Sequence, residues 1–335
     1  MSEKKYFASA NSAKGFVNYF PKVFGGCRRL FVVLGGPGTG KSRFLRDVAA
    51  RGHEVEYYYC SSDADSLDGV LIDGELGLID GTAPHVWSSQ SVGAFEQIVN
   101  LGEFWDPRLL SANRAEIDAL SAEKSACYGE AYAFLAAIGE AERGIQDRLE
   151  DAIDHEKLRR AASRLLRGVA GDGKGTREIG LCSALGMKGE AHFDTYERTS
   201  CAVAVSDSMD TAWIFLAELD RLCRARSMSA RIAPTPLFPD RAEAIELTEQ
   251  GTSFFIGEGE NAISMRKFFR TEKMRALRGL LRGTREAQAR LKDFALEALS
   301  RAAKAHFTLE EIYSAAMDFA AKEQFTAEFC EKLFG

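Results

Sequence analysis

"FVVLGGPGTGKSRF", residues 31–44, decides how this chain is read. An apolar run, Phe31 to Leu34, gives way to glycines at 35, 36, 38 and 40 and then to Lys41 and Ser42. The segment "GGPGTGKS" fits G-x-x-x-x-G-K-[ST], with a strand-like run before it and helical spacing (Phe44, Leu45, Val48) after it. Glycine permits backbone angles that side chains forbid, so successive amides can turn inward and form an anion nest at a helix N-terminus. The predicted nucleotide contacts are Gly35, Gly36, Pro37, Gly38, Thr39, Gly40, Lys41, Ser42 and Arg43. Lys41 supplies a point charge to the β and γ oxygens, and the Ser42 hydroxyl is a Mg²⁺ ligand.

Magnesium takes a carboxylate as a second anchor. Asp80, closing the apolar run "LGLID", is the first choice, because a buried strand delivers an acid to the sheet edge where the loop lies. Asp63, just beyond "VEYYYC", is the rival. Each also has an ordinary structural reading, Asp80 as a turn acid before Gly81 and Asp63 as a helix cap. "DGTAPHVW" follows, and Thr82 and His85 are candidates to sense a γ-phosphate or orient water. A lone loop histidine is equally a structural residue, and the sequence does not fix the general base.

Working outward, "RLFVVL" (29–34), "GHEVEYYYC" (52–60) and "LGLID" (76–80) alternate with helical spacing and predict a helix-covered parallel sheet. From about 92 to 168, apolar residues recur at helical spacing (Ile117, Leu120, Tyr128, Leu135, Ile138, Ile145, Leu149), predicting a helical hairpin or small bundle. The glycine-rich stretch 171–180 reads as a linker between a nucleotide-binding domain, 1–170, and a second domain, 181–335, with its own helical extension from about 262. "GDGKGT" (171–176) imitates a phosphate loop but follows a helix and has glycine after its lysine.

The second domain repeats the order of the first. "SANSAKGFVNYF" is echoed by "SALGMKGEAHF", and a strand, "CAVAV", is again followed by a loop and an amphipathic helix. Without a gap, Asp63 falls on Asp240, Gly74 on Gly251 and Ile79 on Ile256. This predicts an internal duplication. At the loop position, however, stands "SDSMDTA" (206–212), with neither glycine nor lysine, and with Asp207 and Asp210 where acids suit a helix start but repel phosphate. Gly257 stands where the first half has Asp80. The second copy is therefore expected to bind no Mg-nucleotide and to serve as a structural or regulatory partner.

Composition sets the outer limits. With 46% hydrophobic and 27% charged residues, the chain has the make-up of a soluble protein, and the cytoplasm is the expected compartment. "MSEKKYFASA" lacks the apolar core of a secretory signal, and the apolar runs are too short to cross a bilayer. Seven scattered cysteines without a CxxC pair are expected to be reduced. A net charge of −6 speaks against nucleic-acid coating. Residues 266–292 are nevertheless strongly basic, which fits a solvated helix face, an arginine reaching the first copy's γ-phosphate, or docking of RNA or an acidic partner.

"FASANSAKGF", "GGPGTGKS", "CSSDADSLDG" and "LIDGTAPH" resemble the blocks of an uncharacterised bacterial and archaeal family of tandem P-loop ATPase-like proteins. The resemblance is strong over 6–105 and weak over 180–270. It implies a P-loop NTPase fold and ATP binding through Gly35 to Ser42 and Asp80, and departs from the family pattern in the lost second loop. The expected function is that of a Mg-ATP-binding NTPase that is a hydrolase. The alternatives are a small-molecule kinase and a non-catalytic nucleotide sensor that presents its helices to a partner. No base-reading motif separates ATP from GTP.

Overall fold

A computed structural model describes residues 3–84, 87–88, 91, 93–207 and 209–335. The first half builds β1 (Lys4–Phe7), a hairpin of β2 (Ser9–Ser12) and β3 (Gly15–Asn18), α1 (Phe20–Phe24) and β4 (Arg29–Leu34). It continues through α2 (Lys41–Ala49), β5 (Val55–Tyr59), β6 (Leu67–Ile72), β7 (Leu76–Asp80), β8 (Glu96–Asn100), α3 (Pro107–Ala112), α4 (Arg114–Asp151) and α5 (His155–Leu165). The second half follows with β9 (Arg177–Ile179), the hairpin β10 (Ser183–Gly186) and β11 (Gly189–His192), and β12 (Cys201–Ser206). Then come α6 (Ala212–Ala225), β13 (Ala230–Pro234), β14 (Ala242–Leu247), β15 (Thr252–Ile256), β16 (Ile263–Ser264), α7 (Thr271–Ala315) and α8 (Phe319–Phe334).

The two six-stranded sheets have one topology. The first runs β1-β5-β6-β7-β4-β8 and the second β9-β13-β14-β15-β12-β16, each strand in the same place as its counterpart. Both sheets are mixed: β6 and β14 run antiparallel to both of their neighbours, and the other pairings are parallel. The expectation of an all-parallel sheet is corrected at these two strands. A tight turn at Asp73-Gly74 reverses the chain into β7, and one ending at Gly251 does the same for β15; both glycines have positive φ. Two further corrections concern boundaries. β8 lies within the span read as wholly helical, and β9 lies within the stretch read as linker.

β4 is buried on both faces because helices cover both sides of the sheet, which is why "RLFVVL" is a continuous apolar run rather than an alternation. α2 turns Phe44, Leu45, Val48 and Ala49 onto that sheet. α4 and α7 lie antiparallel along much of their length, as Asp151–Lys273, Phe134–Phe294 and Glu130–Arg301 show. At about 1.5 Å per residue these helices are roughly 55 and 70 Å long, so they reach well beyond the sheet that precedes them.

That reach produces an exchange. α5 packs on α6, joining Leu158, Ala162 and Leu166 to a core with Phe215, Leu219 and Phe254. α8 packs on α2, setting the Phe329 ring 5.2 Å from Phe44. Each half's last helix thus covers the other half's sheet. Both exchanged helices begin with an aspartate cap, Asp154 accepting from the Lys157 amide and Asp318 from the Ala321 amide. The hairpins cross over as well: Ala13 donates to the Leu237 carbonyl, and Met187 to that of Ser62. At the junction, Phe7 and Leu181 exchange backbone hydrogen bonds of 2.8 and 3.1 Å. Close by, Arg231 contacts Glu56 at 2.6 Å, Glu178 at 2.7 Å and the Tyr6 hydroxyl. No helix among the described residues is long and apolar enough to cross a membrane.

Candidate functional site

The loop between β4 and α2 is shaped as its glycines require. Gly38 and Gly40 take left-handed angles, φ 70° and 77°, and Gly40 is the N-cap of α2. Among the described residues, no backbone bond is donated from the amides of Gly36, Gly38, Thr39 or Gly40 to a main-chain carbonyl. The loop is held from its other side. Thr39 Oγ1 donates to the Gly36 carbonyl, and Thr82 Oγ1 to that of Gly35. Lys41 Nζ donates to the carbonyls of Gly35 and Gly36 at 2.8 and 2.7 Å and lies 3.5 Å from Asp80 Oδ2.

Asp80 stands at the end of β7, next to β4 in the sheet, so the strand-end argument places it beside the loop. It is buried and accepts from the Thr82 amide. Burial pushes its carboxyl above the ordinary range; Lys41 opposes this, while the nearby carboxylate of Asp68 reinforces it. Ser42 Oγ accepts the Leu67 amide at 2.9 Å and keeps a lone pair for another partner. Ser42 and Asp80 suit Mg²⁺, which binds through few protein oxygens and retains several waters. The Arg43 side chain turns outward to Asp47, leaving only its main chain to the loop.

Asp63 is also brought to this side, but its partner comes from the other half: Lys188, at the tip of the β10–β11 hairpin, lies 2.7 Å from Asp63 and 2.6 Å from Asp65. His85 lies outside the described residues. Sequence reasoning missed the residues that α7 and α8 bring onto the loop. A Cβ on Gly36 would touch the Tyr313 ring, and one on Gly38 would collide with the Glu310 carbonyl and Ser314 Oγ. Ser314 donates to the Gly38 carbonyl at 3.0 Å. The Gly38 amide also lies within hydrogen-bonding reach of the Glu310 carboxylate. Burial raises that carboxyl's pKa, Asp63 adds to the rise, and Lys41 opposes it. His306, one turn before Glu310 on α7, is driven down to about 4 by burial and by Lys124. No local motif marks these residues, because each is more than 250 positions away from the loop it meets.

The second half's loop is filled from within. Asp207 Oδ1 accepts the Met209 and Thr211 amides at 3.1 and 2.8 Å, and Oδ2 accepts the Ala212 amide at 3.1 Å. A carboxylate of the chain thus takes the N-terminal amides of α6. Around it, Arg285 lies 2.7 Å from Asp210 and bonds Glu142, which Arg241 and Gln288 also hold. Burial raises the Glu142 pKa, but the bonds from Arg285 and Gln288 outweigh it and leave the group below its usual range.

The register corrects one correspondence. Val33 pairs with Asp80 and Val205 with Ile256, so Ile256, not Gly257, takes the place of Asp80. Ile79 then matches Phe255, one residue off the gapless alignment, because the β14–β15 turn is longer than the β6–β7 turn. An acid is still missing there. The basic residues of early α7 are directed largely to acids around the second half: Lys273 to Asp151, Arg285 to Glu142 and Lys292 to Glu190. No known family model, characterised protein or solved structure matches the chain.

Proposed function

We propose that the chain is a Mg-ATP-binding NTPase with one competent site, formed by residues 35–42 with Asp80, and that its second half is a duplicated, P-loop-derived partner without a site. The observation that carries this reading is the contrast between the two loops. In the first, left-handed glycines leave amides unclaimed beside an ammonium, a hydroxyl and a buried carboxylate. In the second, Asp207 consumes the equivalent amides. The resemblance to tandem P-loop ATPase-like proteins agrees with it.

Ser42 and Asp80 would hold Mg²⁺, which supplies charge neutralisation at the β and γ oxygens when bound. Lys41 would leave the Gly35 and Gly36 carbonyls for the phosphate chain, and the loop amides would orient it. Phosphoryl transfer of this kind rests on positioning and electrostatics rather than on covalent work by the protein. Glu310 at the Gly38 amide must give way to a nucleotide, so binding would move the end of α7 and couple the site to the other half.

A phosphotransferase is the second reading, favoured by the polar wall of Asp63, Asp65 and Lys188 beside the loop, which would suit a small polar acceptor. The test is calorimetric titration of the full chain with Mg-ATP and Mg-GTP, followed by phosphate release with and without acceptors. The proposal expects one nucleotide per chain, bound by the wild type and lost in Lys41→Ala with the fold retained. Unchanged affinity in Lys41→Ala, or a second nucleotide at residues 206–212, overturns it.

A further inference from the structure

Lys322 occupies the wrong place for a lysine. It lies one turn into α8, is 1% exposed, and brings Nζ within 3.5 Å of where a Cβ on Gly40 would stand. Its ammonium makes no hydrogen bond or ion pair among the described residues. The charges that face it are Asp47, Glu323 and Arg43, and Asp47 is already paired with Arg43. Burial lowers its pKa. It also sits at the N-terminus of α2, where the helix dipole repels a cation. Burying an unpaired charge is costly, and doing so at the positive end of a helix is more so.

The chain itself shows that the fold does not require this. Asp154 and Asp318 cap α5 and α8 in the same way, and the fourth residue after each cap faces the helix of the opposite half. After Asp154 that residue is Leu158, equally buried, in the core against α6. After Asp318 it is Lys322. An apolar side chain fills the position over the loop that Asp207 has closed, and an ammonium fills it over the loop whose amides are open. The charge difference follows the chemistry of the two loops.

We propose that Lys322 is a phosphate-binding residue of the 35–42 loop, supplied across the halves by the last helix of the chain. The assignment rests on the nucleotide reading of that loop. A bound phosphate chain would give the ammonium the counter-charge it lacks and would hold α8 to the loop it covers.

The test uses the full chain and two probes, Mg-ATP and inorganic tripolyphosphate, with Lys322→Leu, Lys322→Met and Lys41→Ala. Removing the unpaired charge should raise the melting temperature of the ligand-free protein, as Leu158 tolerates the same site, and should weaken both probes at least tenfold. Affinity within twofold of wild type in a folded Lys322 variant overturns the proposal. Should both variants fail to fold, the wild type still decides: its Lys322 ammonium resonance must shift on adding tripolyphosphate, and an unmoved signal overturns the assignment. Binding lost in Lys41→Ala but kept in Lys322→Leu sinks the role of Lys322 alone. Absence of binding by the wild type sinks the loop reading with it.

Discussion

Lys188, on the hairpin of the second half, lies 2.7 Å from Asp63 in the first, and Lys14, on the hairpin of the first, pairs with Asp240 in the second. The two contacts are counterparts, yet only Lys188 sits by the open loop. Exposed pairs of this kind add about 0–1 kcal/mol, so neither Lys188→Met nor Lys14→Met should shift the melting temperature by more than a few degrees. Nucleotide turnover should fall several-fold in Lys188→Met and stay unchanged in Lys14→Met. Steady-state assays of the two variants side by side check this; equal effects would count against a role for Lys188 at the site.

Glu310 should compete with nucleotide for the Gly38 amide. Replacing it with Gln keeps the shape and removes the charge. Affinity for Mg-ATP should then rise about 3- to 10-fold, since charge-assisted hydrogen bonds are worth up to about 1.5–3 kcal/mol and this one is partly solvated. Titration of Glu310→Gln at constant ionic strength measures it.

His306 gives a pH signature. Its folded pKa is depressed to about 4 from 6.5, so the fold prefers the neutral ring. The associated stability is intact above pH 6.5 and is lost as pH falls from there toward 4. Denaturant unfolding across that window should show a smaller loss in His306→Gln than in wild type.

Asp207 should matter for stability and not for ligand binding. Asp207→Ala releases the Met209, Thr211 and Ala212 amides at the start of α6, at a cost of about 0.5–2 kcal/mol. No nucleotide site should appear, because the second half still lacks a lysine and has Ile256 in place of the acid. Urea unfolding and calorimetry read the two effects separately.

The exchanged helices predict that neither half folds alone. Residues 1–170 expressed by themselves would expose Leu158, Ala162 and Leu166, and residues 171–335 would expose Phe325, Phe329 and Cys330. Co-expression should restore a soluble pair. Far- and near-ultraviolet circular dichroism of each fragment and of the mixture tests it.

How much of this could be read from the chain depends on how local each signal is. The phosphate loop is one continuous segment whose glycines, lysine and serine have meaning only together, so it was legible. Asp80 was legible because an apolar strand ends on it. β6 was hidden because Asp68 and Gly69 break its apolar run, although nearly the whole strand is buried. β8 was hidden because it is short and at the sheet edge, with Ile98 facing outward. Glu310, Ser314 and Lys322 carry no sign of the loop they touch, since helix reach and exchange, not neighbouring sequence, bring them there.

The Glu56–Arg231 contact at the junction has a further implication. These residues hold matching places on β5 and β13, next to the line about which the halves are related. Two identical halves would set glutamate against glutamate there, or arginine against arginine. By carrying opposite signs, the halves attract each other and refuse their own kind, so the joint discriminates against self-pairing between separate molecules.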